Sequence, residues 1–155
     1  MLFRSHLLAQ HGIESIVIED RSQEYVEARI RAGVLEHGAV RTLTEAGVAE
    51  RLHREAMRHD GIYLQWPGER HRLDFPDLCG QSVWVYGQTE LTKDLYRIRV
   101  GEGQPIFFEV QDVVIADADS DHPRVTFTDS EGAAQVIECD YVAGCDGFQI
   151  GRAHV

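Results

Sequence analysis

The sequence predicts an α/β fold, and three observations carry that reading. A short β-branched run, Ser15-Ile-Val-Ile18, closes on an acidic residue, Glu19. An arginine-bearing run, Arg29-Ile-Arg-Ala-Gly-Val-Leu-Glu36, begins ten residues after Glu19. Beyond it, helical spacing gives way to several short strands and a returning strand, the order expected of an α/β domain that carries an inserted sheet. A carboxylate closing the second strand of a Rossmann unit accepts hydrogen bonds from a ribose diol, and arginines beyond it neutralise phosphate charge. The expected architecture is therefore an incomplete Rossmann-like dinucleotide-binding domain, its first strand and glycine loop missing, with inserted β-sheet segments.

His6 to Gln10 reads as a helix tail that Gly12 stops, and Ile13 to Ile18 as a buried strand of parallel type. The polar segment from Arg21 to Ala32 offers Tyr25 and Ile30 as anchors. Val34, Leu35, Val40 and Leu43 fit a helix closed near Gly47, and a second short helix is expected over Val48 to Met57. Gly61 to Gln65 and His71 to Phe75 flank Trp66-Pro-Gly-Glu-Arg70, a Pro-Gly turn that reads as a hairpin. Trp84-Val-Tyr86 reads as a further strand. Thr89 is the expected N-cap of a helix that places Leu91, Leu95 and Ile98 on one face. Strands follow at Phe107 to Val110, Val113 to Ala116, Val125 to Thr128 and Gln135 to Cys139. The last two flank the turn cluster Asp129-Ser-Glu-Gly132 and form a hairpin. Tyr141-Val-Ala143 is expected to be a short strand running into Gly144-Cys-Asp-Gly147, a turn that leaves a carboxylate exposed.

At 155 residues and 43% hydrophobic composition, the chain has enough apolar material for one core. Its net charge of −11 disfavours nucleic acid and anionic membrane surfaces, while leaving room for a local basic patch near Arg29 and Arg31. No run of about 18 apolar residues is present, so no membrane span is read. Three cysteines without a Cys-x-x-Cys pair argue against a disulfide framework or zinc ribbon and for reduced thiols in a cytoplasmic protein. Cys145 reads as a packed thiol, and the eight histidines show no metal-ligand pattern. Trp66, Trp84, Phe107 and Phe108 read as core or sheet residues. The ends Met1-Leu-Phe-Arg-Ser5 and Ile150-Gly-Arg-Ala-His-Val155 look like translated sequencing-adaptor DNA. The expectation is thus an internal piece of a longer gene, with a partial domain over 6–149 and non-native ends at 1–5 and 150–155.

Four blocks carry a resemblance: Ile16-Val-Ile-Glu19, Tyr25-Val-Glu-Ala-Arg-Ile-Arg-Ala-Gly-Val-Leu-Glu36, Val85-Tyr-Gly-Gln-Thr-Glu90 and Asp140-Tyr-Val-Ala-Gly-Cys-Asp-Gly-Phe148. Across His6 to Gln149 the chain resembles the amino-terminal part of the 4-hydroxybenzoate 3-monooxygenases, class A aromatic hydroxylases that use FAD. The fourth block resembles the Asp-Gly motif shared across that wider class. The resemblance implies a partial FAD-binding domain in which Glu19 binds the adenosine ribose. Arg31 and Gln88 would reach the FAD phosphates or ribityl chain, with Arg29 nearby, and Asp146 would organise the crevice beside the flavin. Gly33 and Val34 would let backbone approach the isoalloxazine. Taken singly, Glu19 reads as a solvated strand end, Arg29 and Arg31 as salt-bridge partners, Gln88 as a helix-start residue and Asp146 as part of a turn; the set reads as a cofactor site.

The sequence departs from the family pattern in three places. No glycine-rich loop precedes Gly12, so weakened FAD affinity is expected. Asp20 stands where the family resembles an arginine that helps hold NADPH, and a carboxylate there repels a 2′-phosphate, which favours NADH or dual use. The Asp-Gly motif breaks off after Gln149. The implied parent hydroxylates 4-hydroxybenzoate, a small aromatic acid, to 3,4-dihydroxybenzoate with NADPH or NADH and O2; the implied parent is homodimeric. No catalytic residue is assigned within this chain, which is expected to be inactive alone. Two alternatives stay open: another class A phenol hydroxylase, and a non-catalytic nucleotide-binding or interaction fragment.

Overall fold

Helix α1, Leu2–Gln10, ends where Gly12 takes φ +71, a left-handed conformation that costs glycine little. The Gly12 amide donates to the Ala9 carbonyl and the Ile13 amide to the Leu8 carbonyl, which closes the helix in a Schellman motif. Strand β1, Val17–Ile18, pairs in parallel with β7, Ile106–Phe107, in the register Val17↔Ile106. This is the parallel pairing expected of a doubly wound element, but the strand is shorter than its apolar run. Ile13 and Ile16 stay exposed because only Val17 and Ile18 lie in the ladder, and of these Val17 is buried.

The computed structural model describes residues 1–29 and 32–145, which divide into two units. The first comprises Met1–Tyr25 and the chain from Gly103 onward; the second is Val26–Glu102. The second interrupts the first, as an inserted segment should.

In the first unit, β8 (Gln111–Ala116), β9 (Arg124–Thr128) and β10 (Ala134–Glu138) form an antiparallel sheet in the order β10-β9-β8. The β9–β10 hairpin turns through Asp129 to Gly132 as expected; Gly132 takes φ +83, and the Asp129 carboxylate accepts the Ala133 amide at 2.8 Å. Val110, Val125 and Phe127 are buried together, with Ile18, Phe107, Ile137 and Cys139 packed on them. Phe107 meets Phe127 edge-on at 5.3 Å. The expected strand over Tyr141 to Ala143 is not formed: Tyr141 is fully solvated and its neighbours find no ladder.

Helix α2 (Gln23–Ala28) spans the boundary between the units, within the segment read as polar, and leads into the second unit. Its Ser22 hydroxyl accepts the Tyr25 amide at 3.1 Å, an N-cap bond. Tyr25 is no core anchor; it is half exposed, beneath the Arg21 guanidinium at 5.4 Å. Ile30 lies outside the described residues. The expected helix from Val34 divides into β2 (Val34–Leu35) and α3 (His37–Glu45). Val34 and Leu35 pair with Val85 and Trp84 of β6 (Val83–Val85), and that ladder outweighs their helical spacing. Val40 and Leu43 do face the core, and α3 closes at Gly47 with a second Schellman motif. Helix α4, Glu50–Glu55, stops short of Met57, which opens β3 (Met57–His59) on the other side of β6.

The Pro67-Gly68 hairpin forms between β4 (Gly61–Trp66) and β5 (Glu69–Asp74), with Trp66 opposite Glu69. Helix α5 covers Phe75–Cys79, and α6 covers Gln88–Gly101. Gly87, rather than Thr89, occupies the N-cap of α6; the Thr89 hydroxyl is engaged elsewhere. Leu52, Leu95, Tyr86 and Tyr96 are buried in this unit.

Two glycines test the packing. A Cβ at Gly61 would collide with the Leu73 carbonyl oxygen across the hairpin, whereas one at Gly38 in α3 would meet nothing within 4 Å. Gly61→Ala should lower stability by about 1–3 kcal/mol, and Gly38→Ala should raise it by up to about 1 kcal/mol, both read from urea midpoints.

Candidate cofactor site

Glu19 follows β1 directly, at the carboxyl end of a parallel strand, where ligands bind in open α/β sheets. Its backbone is held on both sides: its amide donates to the Phe107 carbonyl at 2.9 Å, and its carbonyl accepts the Val110 amide at 3.1 Å. The half-buried side chain accepts the Arg21 amide at 3.2 Å. Burial, and then the adjacent Asp20 carboxyl, push the Glu19 carboxyl above the usual glutamate range. Asp20 itself is exposed and ion-paired with Arg21 at 3.5 Å. A carboxylate oxygen accepts more than one hydrogen bond, which suits a ligand bringing hydroxyl donors.

Arg29 and Gln88 belong to the second unit, and local contacts bring them together. The Thr89 hydroxyl donates to the Arg29 carbonyl at 3.5 Å, so the chain around Arg29 meets the first turn of α6. The Tyr86 amide donates to the Gly33 carbonyl at 2.7 Å. A Cβ on Gly33 would lie 3.2 Å from the Gly87 Cα, so this chain crossing favours glycine. Both Arg29 and Gln88 are exposed. Gly87 gives α6 no side-chain cap, and the amide end of this fourteen-residue helix carries partial positive charge suited to phosphate. Arg31 and Asp146 lie outside the described residues.

Beneath this surface is a polar network that sequence reasoning missed. The buried Asp94 carboxylate accepts the Tyr86 hydroxyl at 2.5 Å and Arg51 Nη1 at 2.9 Å. Arg51 also bonds Glu90, and its Nε donates to Glu55 at 2.8 Å. Lys93 donates to Glu90 at 2.9 Å. Burial, then the Asp94 carboxylate, hold the Tyr86 phenol far above its usual range, so it remains a donor. The available signal was the acid–base spacing of Glu90, Lys93, Asp94 and Arg97 along one helix.

In the first unit a shallow recess of about 230 Å³ is lined by Glu109, Gln111, Thr128, Asp129, Ser130 and Gly132. It contains none of the residues read from the sequence. Among the described residues, no group of three or more His, Cys, Asp or Glu side chains is arranged to hold a metal ion. No helix among them is long and apolar enough to cross a membrane.

Within the first unit Glu19 offers an acceptor suited to ribose hydroxyls; within the second, Arg29 and Gln88 offer groups suited to phosphates and a hydroxylated chain. The profile of the FAD binding domain matches residues 2–152. This chain belongs to that FAD-binding family. It is 45% identical to the p-hydroxybenzoate hydroxylase of Acinetobacter baylyi, over 99% of this chain and 38% of that protein. The FAD-binding chain thus spans well under half of this relative's length. Its fold is similar to p-nitrophenol 4-monooxygenase PnpA from Pseudomonas putida, with a TM-score of 0.76 and 16% identity over 90% of this chain and 36% of that one. CabE, an aromatic hydroxylase from angucycline biosynthesis, gives a TM-score of 0.73 and 20% identity over 94% of this chain and 28% of that one. At those identities the two structures show the fold alone.

Glu19 provides a pH test. Its folded-state carboxyl holds a proton more tightly than the unfolded one, so the ionised side chain destabilises the fold above its raised range. That penalty disappears as pH falls through the range. Glu19→Gln should therefore raise the urea midpoint at neutral pH and leave it unchanged in acid. A lower midpoint at neutral pH would mean that the charge is stabilised by its partners.

Proposed function

We propose that this chain forms the ribose- and phosphate-facing part of the FAD site in an aromatic monooxygenase that hydroxylates 4-hydroxybenzoate to 3,4-dihydroxybenzoate with NAD(P)H and O2. The observation carrying this reading is the joined strip of Arg29, Gly33, Gly87 and Gln88, in a chain 45% identical to a p-hydroxybenzoate hydroxylase. The parent is proposed to take a small aromatic acid as substrate and to act as a homodimer. Glu19 accepts hydrogen bonds from the adenosine ribose. Arg29 and Arg31 balance phosphate charge, Gln88 serves the ribityl or phosphate oxygens, and Asp146 orders the flavin side of the crevice. Bound FAD supplies electron transfer from NAD(P)H and the activation of O2. This chain's residues bind and orient that group; none within it is assigned as a proton donor or acceptor to substrate.

Titration of the chain with FAD, followed by flavin fluorescence, should give saturable binding. Glu19→Ala and Gln88→Ala should each raise the Kd about tenfold, as expected for loss of one hydrogen bond involving a charged group. Saturable binding unchanged by both substitutions would overturn the assignment. In the parent enzyme, 3,4-dihydroxybenzoate should be the product recovered by chromatography. Asp20 should make NADH at least as good a reductant as NADPH; a strong NADPH preference would refute that role for Asp20.

A further inference from the structure

The residues proposed to face the cofactor in the second unit are exposed, yet they stand on a buried polar device. Tyr86 lies between the two chain segments that carry them. Its amide donates to the Gly33 carbonyl at 2.7 Å, four residues beyond Arg29, and Gly87 and Gln88 follow it directly. Tyr86 is 4% exposed, and its phenol donates to Asp94, nearly two turns into α6. Asp94 is in turn fixed to Arg51 of α4, which also bonds Glu90 in the first turn of α6. The start of α6 is therefore tied to α4 through Arg51 and to the Gly33 segment through Tyr86.

We infer that Tyr86 is the positioning residue of this half of the cofactor site, locking Gln88 at the start of α6 against the chain around Gly33 and Arg29. This rests on the reading that Gln88 faces FAD. Three geometric facts agree with it. Gly33 and Gly87 approach so closely that a Cβ on Gly33 would crowd the Gly87 Cα, so a small rotation of Tyr86 is felt at the crossing. The Thr89 hydroxyl reaches the Arg29 carbonyl only at 3.5 Å, a long bond that cannot set the geometry alone. The Gly87 N-cap provides no side-chain bond, so the Tyr86–Asp94 bond is the side-chain tie between the residue before the cap and the body of the helix.

A double-mutant cycle on the full 155-residue chain tests this, with FAD affinity read by flavin fluorescence and folding by urea denaturation. Tyr86→Phe keeps the ring and the amide bond to Gly33 but removes the hydroxyl. It should raise the FAD Kd about tenfold in a chain that remains folded under the titration conditions. In a Gln88→Ala background the same substitution should have no further effect, because its influence runs through Gln88. An equal loss with and without the Gln88 side chain, or an unchanged Kd in the single variant, would overturn the positioning role. If Tyr86→Phe does not fold, Asp94→Leu carries the same cycle: it removes the acceptor of the phenol while Arg51 keeps Glu55 and Glu90, and its effect must likewise vanish in the Gln88→Ala background. A wild-type chain that binds no FAD would sink the cofactor reading and this inference together. Binding weakened by Glu19→Ala but not by Tyr86→Phe would sink the positioning role alone.

Discussion

The buried Asp94 carboxylate is the constraint on which the second unit depends. Only 8% exposed, it accepts hydrogen bonds from Tyr86, just after β6, and from Arg51 in α4. A charge removed from water is tolerated only when its partners are in place, and removing one from such a pair typically costs about 3–5 kcal/mol. That requirement fixes which elements must be neighbours. Helix α6 cannot shift along β6 without pulling Asp94 from the Tyr86 phenol, and α4 cannot leave without stranding it beside Glu90. Apolar packing buries Leu52, Leu95 and Tyr96 in this unit, and the carboxylate adds directional bonds that apolar burial lacks.

Much of this fold was legible in the sequence wherever the determining chemistry is local. Gly12 and Gly47 marked their helix ends because a left-handed residue is needed there, and Pro67-Gly68 and Asp129 to Gly132 marked their turns for related reasons. What misled was spacing that two structures satisfy equally. Val34, Leu35, Val40 and Leu43 fit a helix, yet a distant partner, β6, claimed the first two for a ladder. Thr89 has the side chain of a good cap, but the chain crossing at Gly33 placed glycine at that position instead. At the proposed site, Glu19 was singled out by its place at the end of a β-branched strand, and the structure does put it directly after β1. Arg29 and Gln88 were singled out only through family likeness, and of the Tyr86–Asp94–Arg51 network only the acid–base spacing along α6 was legible. Arg51 and Asp94 are 43 residues apart, and no local pattern announces such a pair.

Overall charge and local charge point in opposite directions in this molecule. A net charge of −11 repels a dinucleotide at long range, so affinity for one must come from groups acting within roughly 8–10 Å, the range of unscreened interaction in physiological salt. The exposed Arg29 and the amide end of α6 are of that kind. In the proposed site Glu19 would use the opposite sign, because a ribose hydroxyl needs an acceptor rather than a cation. The fold is shared with hydroxylases that differ greatly in sequence, and a fold alone does not choose a substrate.

The pairing of Val17 with Ile106 joins residues 89 positions apart, and everything between Val26 and Glu102 belongs to the other unit. During synthesis the second unit is therefore complete before β7 emerges, and it can acquire its structure while β1 still lacks a partner. The parallel pair then has to close a loop already shortened by an ordered insert, which reduces the entropy lost in joining its ends. The chain's connectivity thus makes the β1–β7 pair depend on segments that leave the ribosome far apart in time, whereas the inserted unit draws its contacts from one continuous stretch.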